Sequence, residues 1–181
     1  MRGAAGALLC LLLAAFPLAA QSVELGVVSR GNGLAADLTF RWDKVRELVD
    51  GLRDGLESRI TFTFRVYERR SGLLPFLRDP LLAEKTVARN AFWDFLDNTF
   101  VVESDTGVRA EHPQAEDLLR DYLSLSSVPL YRFTGGRRPA CYVVARAQFE
   151  PVRLVPPLTI VSLAGAASTL TTPWVRAEVA P

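Results

Sequence analysis

From Ile60 the chain alternates with a period of two. Ile60, Phe62, Phe64 and Val66 fall on one side, with Thr61, Thr63 and Arg65 on the other. Successive strand side chains point to opposite faces, so this spacing predicts a strand over 60–70 with one apolar and one polar face. A sheet made of such strands buries only one side, which is the usual situation in antiparallel structure.

The same period recurs elsewhere. Val23, Leu25 and Val27, then Leu34, Ala36, Leu38, Phe40 and Trp42, predict two strands joined through Gly31-Asn32-Gly33, residues that tolerate the positive φ of a hairpin turn. From Ala83 to Glu103 strand-favouring residues break only at Asp97-Asn98, predicting an antiparallel pair. Leu130–Phe133 and Ala140–Phe149 flank Gly135-Gly136-Arg137-Arg138-Pro139 and read as a further hairpin, with Cys141, Val143, Ala145, Ala147 and Phe149 on one face. Leu154–Val175 carries no charge, and Pro156, Pro157 and Pro173 interrupt it. A buried short element at 158–164 is expected there, followed by a last strand on Val175, Ala177 and Val179.

Two segments change period. Val45, Leu48, Val49, Leu52 and Leu56 recur at helical spacing behind Asp43, which predicts a helix over 43–58 with Asp43 as N-cap. Gly51 and Gly55 lie four apart on it, each costing about 1 kcal/mol relative to Ala in a helix interior. They imply compensation, either close packing on the sheet or the approach of a partner backbone or ligand. A second helix is expected after Pro113, with Ala115, Leu118, Leu119 and Tyr122 as its apolar stripe and Pro129 marking the exit. Leu73–Leu82, with Pro75, Pro80 and Phe76, reads as an irregular loop that either caps the core or forms a contact surface. The expected fold class is α+β: seven to nine mainly antiparallel strands, as a sandwich or curved sheet, packed with one or two amphipathic helices.

The first twenty residues belong to a different argument. One cation at Arg2, an uncharged Ala/Leu run from Ala4 to Phe16, and Pro17-Leu18-Ala19-Ala20 before Gln21 read as a secretory signal peptide cut between Ala20 and Gln21. The apolar run is shorter than the roughly 20 residues of a membrane-spanning helix, so membrane association is expected only if the signal stays uncut. Cys10 lies mid-run, away from the place of a lipid-attachment cysteine. The remainder, 21–181, is expected to form one globular domain of about 160 residues, long enough to bury a core without disulfide or metal. Cys141 then has no cysteine partner. Without Arg2 the basic groups equal the 20 acidic ones, so no excess positive charge points to nucleic acid.

Catalytic chemistry is thinly represented. His112 is the one histidine and precedes Pro113 at a loop-to-helix junction, where a solvent-exposed cap or spacer is expected; pairing it with Cys141 would give a base and a thiol, but Cys141 lies among apolar strand neighbours, where a buried inert thiol is expected. One His and one Cys do not make the usual zinc site, and no cofactor is expected. Asp94, Asp97, Glu103 and Asp105 straddle a turn and can be read as solvated turn carboxylates, as a calcium site, or as the acid/base pair of a hydrolase. Arg69-Arg70 and Arg137-Arg138 are solubilising charge or anion grips. Trp42, Trp93 and Trp174 are core packing or a sugar- or lipid-facing set. Phe62, Phe64, Phe92 and Trp93 either close the core or line the cavity of an apolar-ligand carrier.

The order of elements resembles a known group. The passages Glu47-Leu48-Val49-Asp50-Gly51-Leu52 through Ile60-Thr61-Phe62-Thr63-Phe64, Trp93-Asp94-Phe95 to Phe100-Val101-Val102, Pro156-Pro157-Leu158 and Pro173-Trp174-Val175 are similar to the bacterial family known as domain of unknown function 4390. The resemblance covers most of 22–180. It implies an extracytoplasmic domain without established activity and carries over no catalytic residue. The functional expectation is therefore an exported, non-enzymatic binding or assembly factor of the bacterial cell envelope with an envelope protein as partner. An apolar-ligand carrier and a hydrolase using Asp94–Asp105 are the alternatives.

Overall fold

The computed structural model describes residues 21–70, 79–134, 139–153 and 169–179. The expected signal segment, most of the 73–82 loop, the Arg137-Arg138 pair and the short element at 158–164 lie outside the described residues. The chain runs β1 (Gln21–Arg30), β2 (Gly33–Trp42), α1 (Val45–Arg53), β3 (Glu57–Glu68), β4 (Leu81–Asp94), β5 (Thr99–Ser104), β6 (Arg109–His112), α2 (Ala115–Leu123), β7 (Ser124–Arg132), β8 (Cys141–Arg153), β9 (Leu170–Thr171) and β10 (Val175–Glu178). The strands form two antiparallel sheets, β1-β2-β7 and β10-β8-β3-β4-β5-β6, with β9 beside β8. This is the α+β, sandwich-like arrangement expected from the alternation.

Register places the core. Ile60, Phe62, Phe64 and Val66 stand opposite Phe149, Ala147, Ala145 and Val143, and all eight are buried. The smaller sheet turns Leu34, Ala36, Leu38 and Phe40 into the same cluster. Phe149 is where the layers meet: its ring lies 5.3 Å from Phe40 and 4.9 Å from Trp42, with Tyr122 of α2 at 6.5 Å. Burying a large aromatic ring contributes about 1.5–3 kcal/mol, so this junction anchors both sheets and the helix. At the start of β3, β8 gains one residue between Glu150 and Arg153, a bulge that contains Pro151. Proline within a sheet is at home there because a bulge needs no ladder donor at every residue.

Four expectations change. Residues 130–133 and 140–149 do not form a hairpin, because β7 pairs with β2 whereas β8 pairs with β3. β7 belongs to the smaller sheet and β8 to the larger. Pro129 does not mark the exit of the second helix but lies inside β7, an edge strand, where a missing donor is tolerated. Residues 109–112 add the edge strand β6, and residues 170–171 add β9.

The fourth concerns α1, which covers Val45–Arg53 rather than 43–58. Its N-cap is Lys44, without a side-chain capping bond, and not Asp43. Strand β2 continues to Trp42, whose indole is held against Phe149, so Asp43 and Lys44 are needed for the turn into the helix. At the other end Leu56 N–H donates to Gly51 O and Gly55 N–H to Leu52 O, each at 3.0 Å, and Gly55 has φ +86°. This pair of bonds with a left-handed glycine is a Schellman cap. Gly55 therefore ends the helix instead of weakening its interior. Leu56 Cδ1 lies 3.4 Å from where a Gly51 Cβ would stand, and the Phe95 ring lies equally close to that position on Gly55. What approaches the two glycines is thus this chain's own Leu56 and Phe95.

Candidate functional site

The candidate carboxylates do not converge. Asp94 faces Thr99 across the β4–β5 pair and Glu103 faces Asn90, four residues along β5, or roughly 13 Å at about 3.3 Å per residue. Asp94 accepts from Leu96 N–H at 3.0 Å and Asp97 N–H at 3.4 Å, and its other oxygen meets Arg109 Nη2 at 2.9 Å. The Leu96 amide, then the Arg109 guanidinium, hold this carboxyl below its ordinary range, the reverse of what a general acid needs. Asp105 pairs with the backbone of Ala88, and Asp97 and Glu103 are exposed. Asp94, Asp97 and Asp105 are carboxylates at turns, and Glu103 is an exposed one on strand β5.

His112 and Cys141 are also apart. His112 lies on β6 and Cys141 on β8, four strand spacings away at about 4.8 Å each. Cys141 is buried, and burial followed by the Glu68 charge pushes its thiol up, away from the reactive thiolate. The three tryptophans separate likewise. Trp42 meets Phe149, Trp93 meets Phe100 edge-on at 4.6 Å, and Trp174 lies near Arg65 and Arg146. Phe62 and Phe64 are closed inside the core with Trp93 packed against it, while Phe92 lies on the opposite face of β4 beside Arg109. The four aromatics of the carrier reading therefore do not line one cavity. Arg69 is ion-paired with Glu178 at 2.6 Å.

An open polar cleft of about 850 Å³ lies at the junction of β6, α2 and β7. His112 Nε2 lies 3.0 Å from Asp121 Oδ2, and Arg89 Nη1 lies 3.1 Å from Asp121 Oδ1. The same Arg89 nitrogen donates to the Asp121 carbonyl and, at 3.0 Å, to the Ser124 carbonyl. The Asp121 carbonyl belongs to the last turn of α2 and Ser124 is its C-cap, where helix acceptors have no intrahelical donor and a cation is favoured. Arg89, on the core-facing side of β4 opposite Ile60, is thus a helix C-terminal clamp that also braces the free edge of β7. Lys85 does the same one step along, donating to Pro129 O at 3.0 Å. His112 is not the exposed cap or spacer expected before Pro113 but a strand residue of β6, 18% exposed and set against Asp121, and neither Arg89 nor Asp121 was expected here. The signal that existed was two cations, Lys85 and Arg89, in phase with the apolar positions of a strand.

The other distinctive feature is the tip between β4 and β5. Phe95 is 65% exposed and Leu96 95%, the latter the largest exposure of a large apolar residue among the described residues. A two-residue apolar tip of this kind ordinarily would be loose. Here the Asp94 carboxylate holds two successive amides, Asn98 takes a left-handed φ of 58°, and the Phe95 ring rests on Gly55. The tip is a preformed apolar knob. Comparison with protein-family models, with curated proteins and with solved structures gave no match to this chain.

Proposed function

We propose that the protein is an exported, non-enzymatic binding or assembly factor of the bacterial cell envelope, and that it engages a protein partner through the Phe95–Leu96 tip. The observation that carries this reading is the pairing of exposure with order at that tip. Fully burying side chains of this size contributes about 1.5–3 kcal/mol each, the range of an interface anchor. A turn already held in its bound shape loses little conformational freedom on docking, which preserves that gain. The export signal read over residues 1–20 supports the location, and the scattering of Asp94, Glu103, His112 and Cys141 supports a role without catalysis.

The test is crosslinking in intact cells, affinity capture of a C-terminally tagged chain, and mass spectrometry of its N-terminus and its companions. The expected result is an N-terminus at Gln21 and one reproducible envelope partner that is lost when Phe95 and Leu96 are both changed to Ser. Recovery of the same partner by that variant, or turnover of ester, peptide or glycan substrates that depends on His112 or Asp94, would overturn the proposal.

A further inference from the structure

Arg146 occupies an unusual place on the outer face of the larger sheet. In register it stands opposite Thr63 of β3, and its same-face neighbours on β8 are Val144 and Gln148. On the β10 side the pairing Val175 with Ala145 makes Trp174 the next residue across from it. None of these is acidic. The Arg146 guanidinium lies 4.6 Å from the centre of the Trp174 ring, and Arg65 lies 4.9 Å from the same ring. Arg65 has its counter-charge, since Glu84 meets its Nε at 2.9 Å. Arg176, over the Tyr142 ring at 3.6 Å, also has one, with Glu178 at 2.8 Å. Among the described residues Arg146 has no carboxylate, and its Nε is buried without an acceptor.

A guanidinium nitrogen withdrawn from water keeps its need for an acceptor, and one left unpaired is destabilising. Its planar fork suits a carboxylate or a phosphate group, which accept two parallel N–H bonds. Trp174 beside it is 38% exposed and offers an apolar ring surface next to the cation. We propose that Arg146 and Trp174 form a binding site for a small ligand bearing a carboxylate or phosphate group, with Arg146 taking the oxyanion and Trp174 covering the adjoining part of the ligand. This site lies apart from the β4–β5 tip and does not depend on it.

The test is titration of the purified protein with sodium glucuronate and, separately, inorganic phosphate, each against sodium chloride at matched ionic strength. Arginine Nε–H and tryptophan indole N–H resonances are followed by NMR. The expected result is a saturable shift of the Arg146 Nε–H and Trp174 indole signals, unmatched by chloride, with the Trp174 shift absent in Arg146→Gln. In Arg146→Lys, which keeps the charge but not the fork, affinity falls at least tenfold. A response to glucuronate alone identifies a carboxylate ligand, and a response to phosphate alone a phosphate ligand. No shift with either anion, shifts that do not saturate or that chloride reproduces, or a Trp174 shift that survives in Arg146→Gln would overturn the proposal.

Discussion

The hydroxyl of Tyr122 lies 2.9 Å from the hydroxyl of Ser58, and both side chains are fully buried. Ser58 donates onward to the Glu150 carbonyl at 2.9 Å, beside the bulge where β8 slips against β3. Tyr122 is therefore the donor to Ser58, and this short chain of bonds fastens α2 to the centre of the larger sheet. Tyr122→Phe removes one donor and is expected to cost about 1 kcal/mol. Ser58→Ala strands both the buried phenol and the carbonyl, and is expected to cost about 2–3 kcal/mol. Urea denaturation of the two variants checks the order; the reverse order would contradict the assigned donor directions.

The same burial gives a pH signature. Desolvation pushes the Tyr122 phenol far above its ordinary value of about 10, against a smaller opposing effect of the Ser58 bond. Because the folded pKa is raised, the unfolded chain ionises first. The stabilisation is complete below about pH 10 and is lost as pH rises above it. Stability of the native chain should fall more steeply between about pH 9.5 and 11.5 than that of Tyr122→Phe, as measured by denaturant midpoints. Equal slopes would show that the phenol is not desolvated.

Arg89 is 19% exposed and serves three acceptors at the end of α2. Arg89→Met keeps the apolar stem but leaves the Asp121 carboxylate without its guanidinium, with an expected cost of about 2–4 kcal/mol. Hydrogen exchange should quicken first in residues 121–124. A variant with native stability and unchanged exchange would remove the clamp from this account.

Asp94 controls the order of the tip. Its carboxyl is held below the ordinary range by the Leu96 amide first and Arg109 second. With the folded pKa depressed, its contribution is present above about pH 4 and is lost as pH falls through the folded value. Asp94→Ala should reproduce at neutral pH the loosening that acid causes in the native chain, seen as faster exchange of the Leu96 and Asp97 amides. Unaltered exchange in that variant would mean that the turn holds itself without the carboxylate.

The strands were readable wherever one face is buried, because Ile60–Val66, Leu34–Trp42 and Cys141–Phe149 alternate within a few residues of each other. Strand partners were less readable. Nothing local in Gly135–Pro139 distinguishes a hairpin from a crossover, since the choice is made by β2 and β3, far away in sequence. Strand β6, Arg109-Ala110-Glu111-His112, is a polar edge with no apolar alternation to announce it. The Schellman cap did leave a trace: Gly55 followed by apolar Leu56 is its usual residue pattern, but the apolar spacing carried the helix past it. The Arg89–Asp121 clamp joins residues of no shared motif. The tip was readable only as a turn, because exposure of Phe95 and Leu96 depends on what else packs there.

The proposed function requires the Phe95–Leu96 tip to meet a protein. The direct measurement places a photo-reactive residue at Leu96 in intact cells, with a matched one at exposed Arg30 on the far hairpin. The expected result is one discrete protein adduct from position 96, absent from position 30 and abolished by adding Phe95→Ser. No protein adduct at position 96, or the same adducts from both positions, would contradict it.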